Sequence, residues 1–131
     1  IKRSIDIPAL NRIMGELAPK TTHAILEQVA SRPGMSAPAV FKFGQVFGII
    51  EGLLAGKQIP YMMVIPAVWC RVMHQGIPGD DPKSRSVVAL GRLFPTVDLR
   101  ASERSQKPHE GLMDGLLLAE WGRRKALAGE L

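Results

Sequence analysis

The sequence holds 131 residues, enough for one domain whose core needs no staple. Its apolar share of 46% against 22% charged residues fits a soluble globular chain, and no run of 18 uncharged apolar residues marks a membrane span. A single cysteine, Cys70, excludes an internal disulfide and points to a reducing, intracellular setting, while a net charge of +5 suits contact with a polyanion without requiring it.

The sequence opens on Ile1 in mid-pattern, with no visible signal peptide. Ile7, Leu10, Ile13, Met14 and Leu17 recur at helical spacing, and Asp6 with Pro8 supplies a start signal, so Pro8 to Leu17 is predicted helical. Pro19 ends that helix. His23 to Val29 reads as a short buried strand, and Ser31 to Ser36 as a loop. A long helix is predicted from Ala37 to Ala55. Its row Gly44, Gly48, Gly52 and Gly56 returns to nearly one helix face every four residues. Each glycine costs that helix roughly 1 kcal/mol relative to alanine, so close approach of another backbone must offset the row. That backbone is either the domain's own sheet or a second subunit; small residues alone favour the sheet.

Ile59 to Ile65 reads as a second strand. Pro66 opens a short helix through Met73, and Asp81 with Pro82 caps another through Leu93, with Val88, Ala89 and Leu93 on its buried stripe. Pro95 to Pro108 is irregular, and a last helix runs from about His109 to Ala128. Helix, strand, long helix, strand, then helices is an α/β order in a single domain spanning residues 1–131. Two strands make a poor sheet, so further strands are expected upstream of Ile1.

Some acids stand where they cost energy. Glu27 lies near the C-terminal end of a strand apolar on both faces, where open α/β sheets place their sites. There it must be paired, protonated or metal-bound, unless the strand end reaches solvent. Asp114 shares a helix face with Leu117, Leu118 and Trp121, and Glu110 lies one turn before it. Two such carboxylates repel unless a cation sits between them; the alternative is that both simply favour the first-turn dipole. With His109 adjacent, these oxygen donors suit Mg²⁺ or Mn²⁺. No zinc spacing, phosphate-binding glycine loop or Ser-His-Asp set is present; Gly76-Ile77-Pro78-Gly79 lacks the required lysine and flanks. Cys70 and His74, one turn apart, are read as a half-buried filler beside a histidine rather than a nucleophile and its base.

Four blocks carry a family likeness: HAILEQVASRPGMSAPAVFKFGQVFGIIEGLLA, IPYMMVIPAVWCRVM, SRSVVALGRLFP and KPHEGLMDGLLLAEWGRR. In order and spacing they resemble the phage and prophage RuvC-type nucleases across nearly the whole chain. The resemblance implies a ribonuclease H-like fold, a mixed central sheet flanked by helices, here truncated at the N-terminus. It implies a homodimer that hydrolyses Holliday junctions or other branched DNA with Mg²⁺ or Mn²⁺, in the cytoplasm of a bacterial or phage-infected cell, away from membranes. Glu27 matches the family's strand glutamate, Asp114 its last acid, and Glu110 or His109 the preceding polar residue. The glycine-rich helix matches the one that packs two subunits, which turns the expectation for Gly44, Gly48 and Gly52 toward a partner chain. The family's first acid, an aspartate in a Gly-Ile-Asp-x-Gly strand, has no counterpart here, since Asp6 precedes a helix. Cleavage by these 131 residues is therefore expected to be weak or absent. Arg32, Lys42, Lys83, Arg85 and Lys107 are the expected phosphate contacts. Phe41, Phe43 and Phe47 are expected in core and dimer packing ahead of base stacking. The rival functions are a catalytically silent DNA-binding module and a helical oligomerisation module.

Overall fold

The computed structural model describes residues 4–131; Ile1 lies outside them. Helix α1 spans Ile7–Leu17, capped by the Asp6 carboxylate, which accepts from the Ala9 N–H at 2.9 Å. A 3₁₀ turn, Ala18–Lys20, carries the chain past Pro19. Strand β1 is Ala24–Glu27, helix α2 is Ala37–Gly56 and strand β2 is Tyr61–Val64. Then follow α3 (Pro66–Met73), α4 (Pro82–Leu93) and α5 (Glu110–Leu127). Prolines sit in the first turns of α2, α3 and α4, where the missing N–H breaks no helical bond. Ser36 and Asp81 cap α2 and α4. The chain is mixed α/β, as the element order predicts, and it forms two compact units, one through Met63 and one from Val64.

In the first unit β1 and β2 pair in parallel and α2 connects them, a βαβ arrangement. The Ala24 N–H donates to the Pro60 carbonyl at 2.8 Å, extending the pairing. All four β1 residues are half-buried, so neither face of the strand is closed over as its apolar sequence predicts. The Tyr61 hydroxyl donates to Glu51 at 2.7 Å, tying β2 to the one acid of α2. The end of α2 is closed by its own backbone: Gln58 N–H reaches the Ala55 carbonyl and Ile59 N–H the Leu54 carbonyl, each at 3.0 Å. Gln58 takes a φ of +56° to do so, a position glycine usually fills. Leu54 and Ile59, the helix residue and the exit residue of this motif, are both buried.

Helix α2 otherwise stands largely exposed. Phe41 is 74% exposed and Phe43 42%, so neither packs into the core of this chain, while Phe47 is half-buried. A Cβ built at Gly44, Gly48, Gly52 or Gly56 meets nothing within 4 Å. The close approach by the domain's own sheet, one of the two sequence expectations, is therefore not what the glycine row serves. By length and composition α2 also meets the requirement for crossing a bilayer.

The second unit holds most of the buried apolar side chains. Trp69 and Met73 of α3, Ala89 and Leu90 of α4, and Met113, Leu117, Leu118 and Trp121 of α5 form its core. Leu117 is 0% exposed and Trp69 2%. The buried stripe of α4 is Ser86, Ala89 and Leu90, a shift from the predicted Val88, Ala89 and Leu93. Val88 is half-buried and Leu93 is 37% exposed, because the helix ends at Phe94 and its last turn clears the core. At the far end of α5, Gly129 takes a φ of +72° and supplies the glycine that the end of α2 lacks.

Candidate functional site

Helix α5 positions the acids of the second unit. An antiparallel bridge between Arg100 and Pro108 brings the irregular segment back on itself, and the His109 N–H donates to the Leu99 carbonyl at 2.8 Å. That fixes where α5 starts. His109 is its N-cap, and its carbonyl accepts from the N–H groups of Leu112 and Met113. The imidazole folds over Gly111: an added Cβ there would lie 3.2 Å from its Cε1 and 3.3 Å from its Nδ1. Gly111 thus leaves room for the ring at the helix start.

Glu110 and Asp114 follow one turn apart, and both are exposed. Met113, Leu117 and Trp121 carry the buried stripe, and Asp114 runs beside it at the solvent edge. A cation does stand beside these acids, and it is a side chain: Lys83 of α4 pairs with Glu110. The Lys83 ammonium lowers the Glu110 carboxyl's pKa, with His109 adding a smaller effect, and Glu110 raises that of Lys83. Two predicted site residues are thereby brought together, the expected phosphate contact on the expected metal ligand. Both members are more than half exposed, so the pair adds little to stability.

Asp114 faces a second polar group. It raises the pKa of His74, the residue that caps α3, whereas burial and the nearby Arg85 lower it more. The net direction is downward, so His74 is neutral near pH 7. Its Nε2 lies 3.0 Å from the Ser86 hydroxyl, and its ring meets Trp69 edge-on with centroids 6.3 Å apart. Arg85 Nε donates to the Gly79 carbonyl at 3.0 Å. Gly79 permits this through a φ of +149°; a Cβ there would lie 2.9 Å from Arg85 Cγ.

Glu27 ends β1 in the first unit and is half-buried, at the strand end where the sequence places it. Arg32 lies exposed in the loop that follows, its N–H held by Met35 Sδ at 3.3 Å, and Lys42 is exposed on α2. Lys107 is exposed ahead of α5. The carboxylate donors match Mg²⁺ or Mn²⁺ in kind. Among the described residues, no three His, Cys, Asp or Glu side chains gather into a group able to hold a metal ion.

Sequence reasoning missed Ser86 and underrated His74. Ser86 carries a usable signal, because it stands three and four residues before Ala89 and Leu90 on the buried stripe, where a hydroxyl must find a partner. Comparison with family models and with curated proteins finds no match to this chain.

Proposed function

We propose that this chain is a nuclease domain of the RuvC type, ribonuclease H-like in fold, that hydrolyses phosphodiesters in Holliday junctions or other branched DNA. The observation that carries the proposal is the pair Glu110 and Asp114, exposed one turn apart beside a buried helix stripe, on the block that most resembles the family. Support also comes from Glu27 at the end of β1 and from a glycine row whose added Cβ atoms would meet nothing among the described residues.

On the family resemblance Glu27, Glu110 and Asp114 are the proposed ligands for Mg²⁺ or Mn²⁺; among the described residues they are not gathered into one group. A divalent ion, when bound, would supply Lewis-acid polarisation of the phosphate and a water of lowered pKa. Around it the side chains divide the work. Asp114 and Glu27 would orient the ion, Glu110 would serve as a ligand only when free of its pairing with Lys83, and Lys83 would then be available to a phosphate oxygen. His109, held over Gly111 at the start of α5, is placed to accept or relay a proton. Arg32, Lys42, Arg85 and Lys107 contact the backbone of the DNA without reading its sequence.

The glycine row supports a homodimer. Its open face on α2 is proposed as the homodimer surface, with a second copy supplying the close backbone. A lipid bilayer is the other environment that an exposed apolar helix of this length suits. Detergent-free solubility as a dimer supports the first; extraction only with detergent supports the second.

A synthetic four-way junction tests the activity. The 131-residue protein should bind it more tightly than linear duplex and nick it slowly near the branch, only with Mg²⁺ or Mn²⁺. Glu27→Gln and Asp114→Asn should each abolish the nicking while leaving binding intact. Junction binding with no metal-dependent cut and with no Mn²⁺ binding that Glu27→Gln or Asp114→Asn weakens favours the catalytically silent DNA-binding module. No preference for branched DNA favours the oligomerisation module.

A further inference from the structure

We infer that a hollow between the length of α3 and the first turn of α4 is a binding site for a phosphate-class oxyanion. The hollow is open to solvent, has a volume of about 580 Å³ and belongs wholly to the second unit. Pro66, Ala67 and Pro82 form an apolar wall. Cys70, Arg71, His74 and Arg85 form the polar one, and no carboxylate lines it. Arg71 and Arg85 both contribute lining atoms to this mostly apolar hollow and no acid does, so its charge balance favours an anion.

Each polar group fits that role in a different way. Arg85 is held by its Nε hydrogen bond to the Gly79 carbonyl, which orients the guanidinium plane before any ligand arrives. Arg71, three residues before the end of α3, makes no ion pair among the described residues. His74 is tied to Ser86 at 3.0 Å and is kept in place by the Trp69 edge. The nearest acid with an effect on it, Asp114, is not among the lining residues. Arginine forks match the tetrahedral oxygens of phosphate, and the proline wall suits the apolar part of a phosphate ester. A free phosphate ester and a DNA backbone phosphate share this chemistry. The inference does not rest on metal ligation, since none of Glu27, Glu110 and Asp114 lines the cavity.

Cys70 is the chain's one cysteine and lines the cavity half-buried, so it serves as a unique reporter. Alkylation of the intact protein by iodoacetamide is followed with added inorganic phosphate, and with sodium chloride at equal ionic strength. Phosphate should slow Cys70 alkylation several-fold at saturation, and chloride should not. Arg71→Gln, an exposed position whose change should leave the circular dichroism spectrum unaltered, should remove the protection. A short duplex oligonucleotide forms the second arm. Protection by both ligands assigns the cavity to a DNA phosphate path; protection by phosphate alone assigns it to a small phosphate ester. An alkylation rate that phosphate and chloride affect equally, protection that survives Arg71→Gln, or a thiol that iodoacetamide never reaches would each overturn the inference.

Discussion

Glu120 shows how a buried acid is kept charged in this chain. Its side chain is only 6% exposed, yet Arg123 and Arg124 reach it from one turn onward, at 2.7 and 2.9 Å. The Arg123 hydrogen bond is the main reason its pKa falls below the ordinary 4.5, and Arg124 adds to it against the opposing cost of burial. A depressed folded pKa means the stabilisation is present above the unfolded value and is lost as pH falls through the folded one. Urea unfolding should therefore show stability declining below about pH 4.5, less steeply in Glu120→Gln. That variant should also cost about 1–2 kcal/mol at pH 7, because it removes a charged hydrogen-bond acceptor from two partly solvated arginines. An unchanged pH dependence in Glu120→Gln would mean the pair contributes nothing. Pairings such as Glu120 with Arg124 are legible in the sequence, because helical spacing dictates them. Lys83 with Glu110 and His74 with Ser86 are not. They join residues 27 and 12 positions apart, and no local period encodes that.

The elements were legible to within a few residues because their ends are written in short-range chemistry. Asp6 with Pro8, Ser36 with Pro38, and Asp81 with Pro82 each name a helix start. What periodicity could not give was depth. Asp114 belongs to the face of Leu117 and Trp121, yet it lies exposed because the buried stripe centres on Met113, Leu117 and Trp121 and Asp114 sits at its solvent edge. The ends of α2 and α5 invite a direct comparison. Both close with the same backbone motif, but α2 does it through Gln58 at positive φ and α5 through Gly129. Gln58→Gly should raise stability by roughly 1 kcal/mol, by removing the left-handed penalty of a side chain. A lower thermal midpoint would contradict that assignment. The glycine row gives a sharper case. Since a Cβ at Gly48 meets open space, Gly48→Ala should stabilise an isolated chain by about 1 kcal/mol through helix propensity. If a second copy packs on that face, Gly48→Leu should shift the protein from dimer to monomer in light scattering. A dimer that tolerates leucine there places the interface elsewhere.

At the scale of the whole molecule, the α/β character follows from the order of elements, and the two-stranded parallel pairing from β1, α2 and β2. The wider sheet that the resemblance implies cannot be built from the two strands of the described residues. The candidate chemistry is likewise distributed: Glu27 belongs to the first unit, and Glu110 and Asp114 to the second. Periodicity along one element cannot say whether acids from separate units serve one ion, and binding of the ion itself can. The decisive measurement is Mn²⁺ affinity, read by electron paramagnetic resonance, for the wild-type protein and for Glu27→Gln, Asp114→Asn and a Glu130→Gln control. Losses on the order of 10- to 100-fold in both of the first two, with the control unchanged, are predicted. Wild-type Mn²⁺ binding that Glu27→Gln leaves unaltered would contradict the assignment of that acid to the metal, and with it the nuclease proposal.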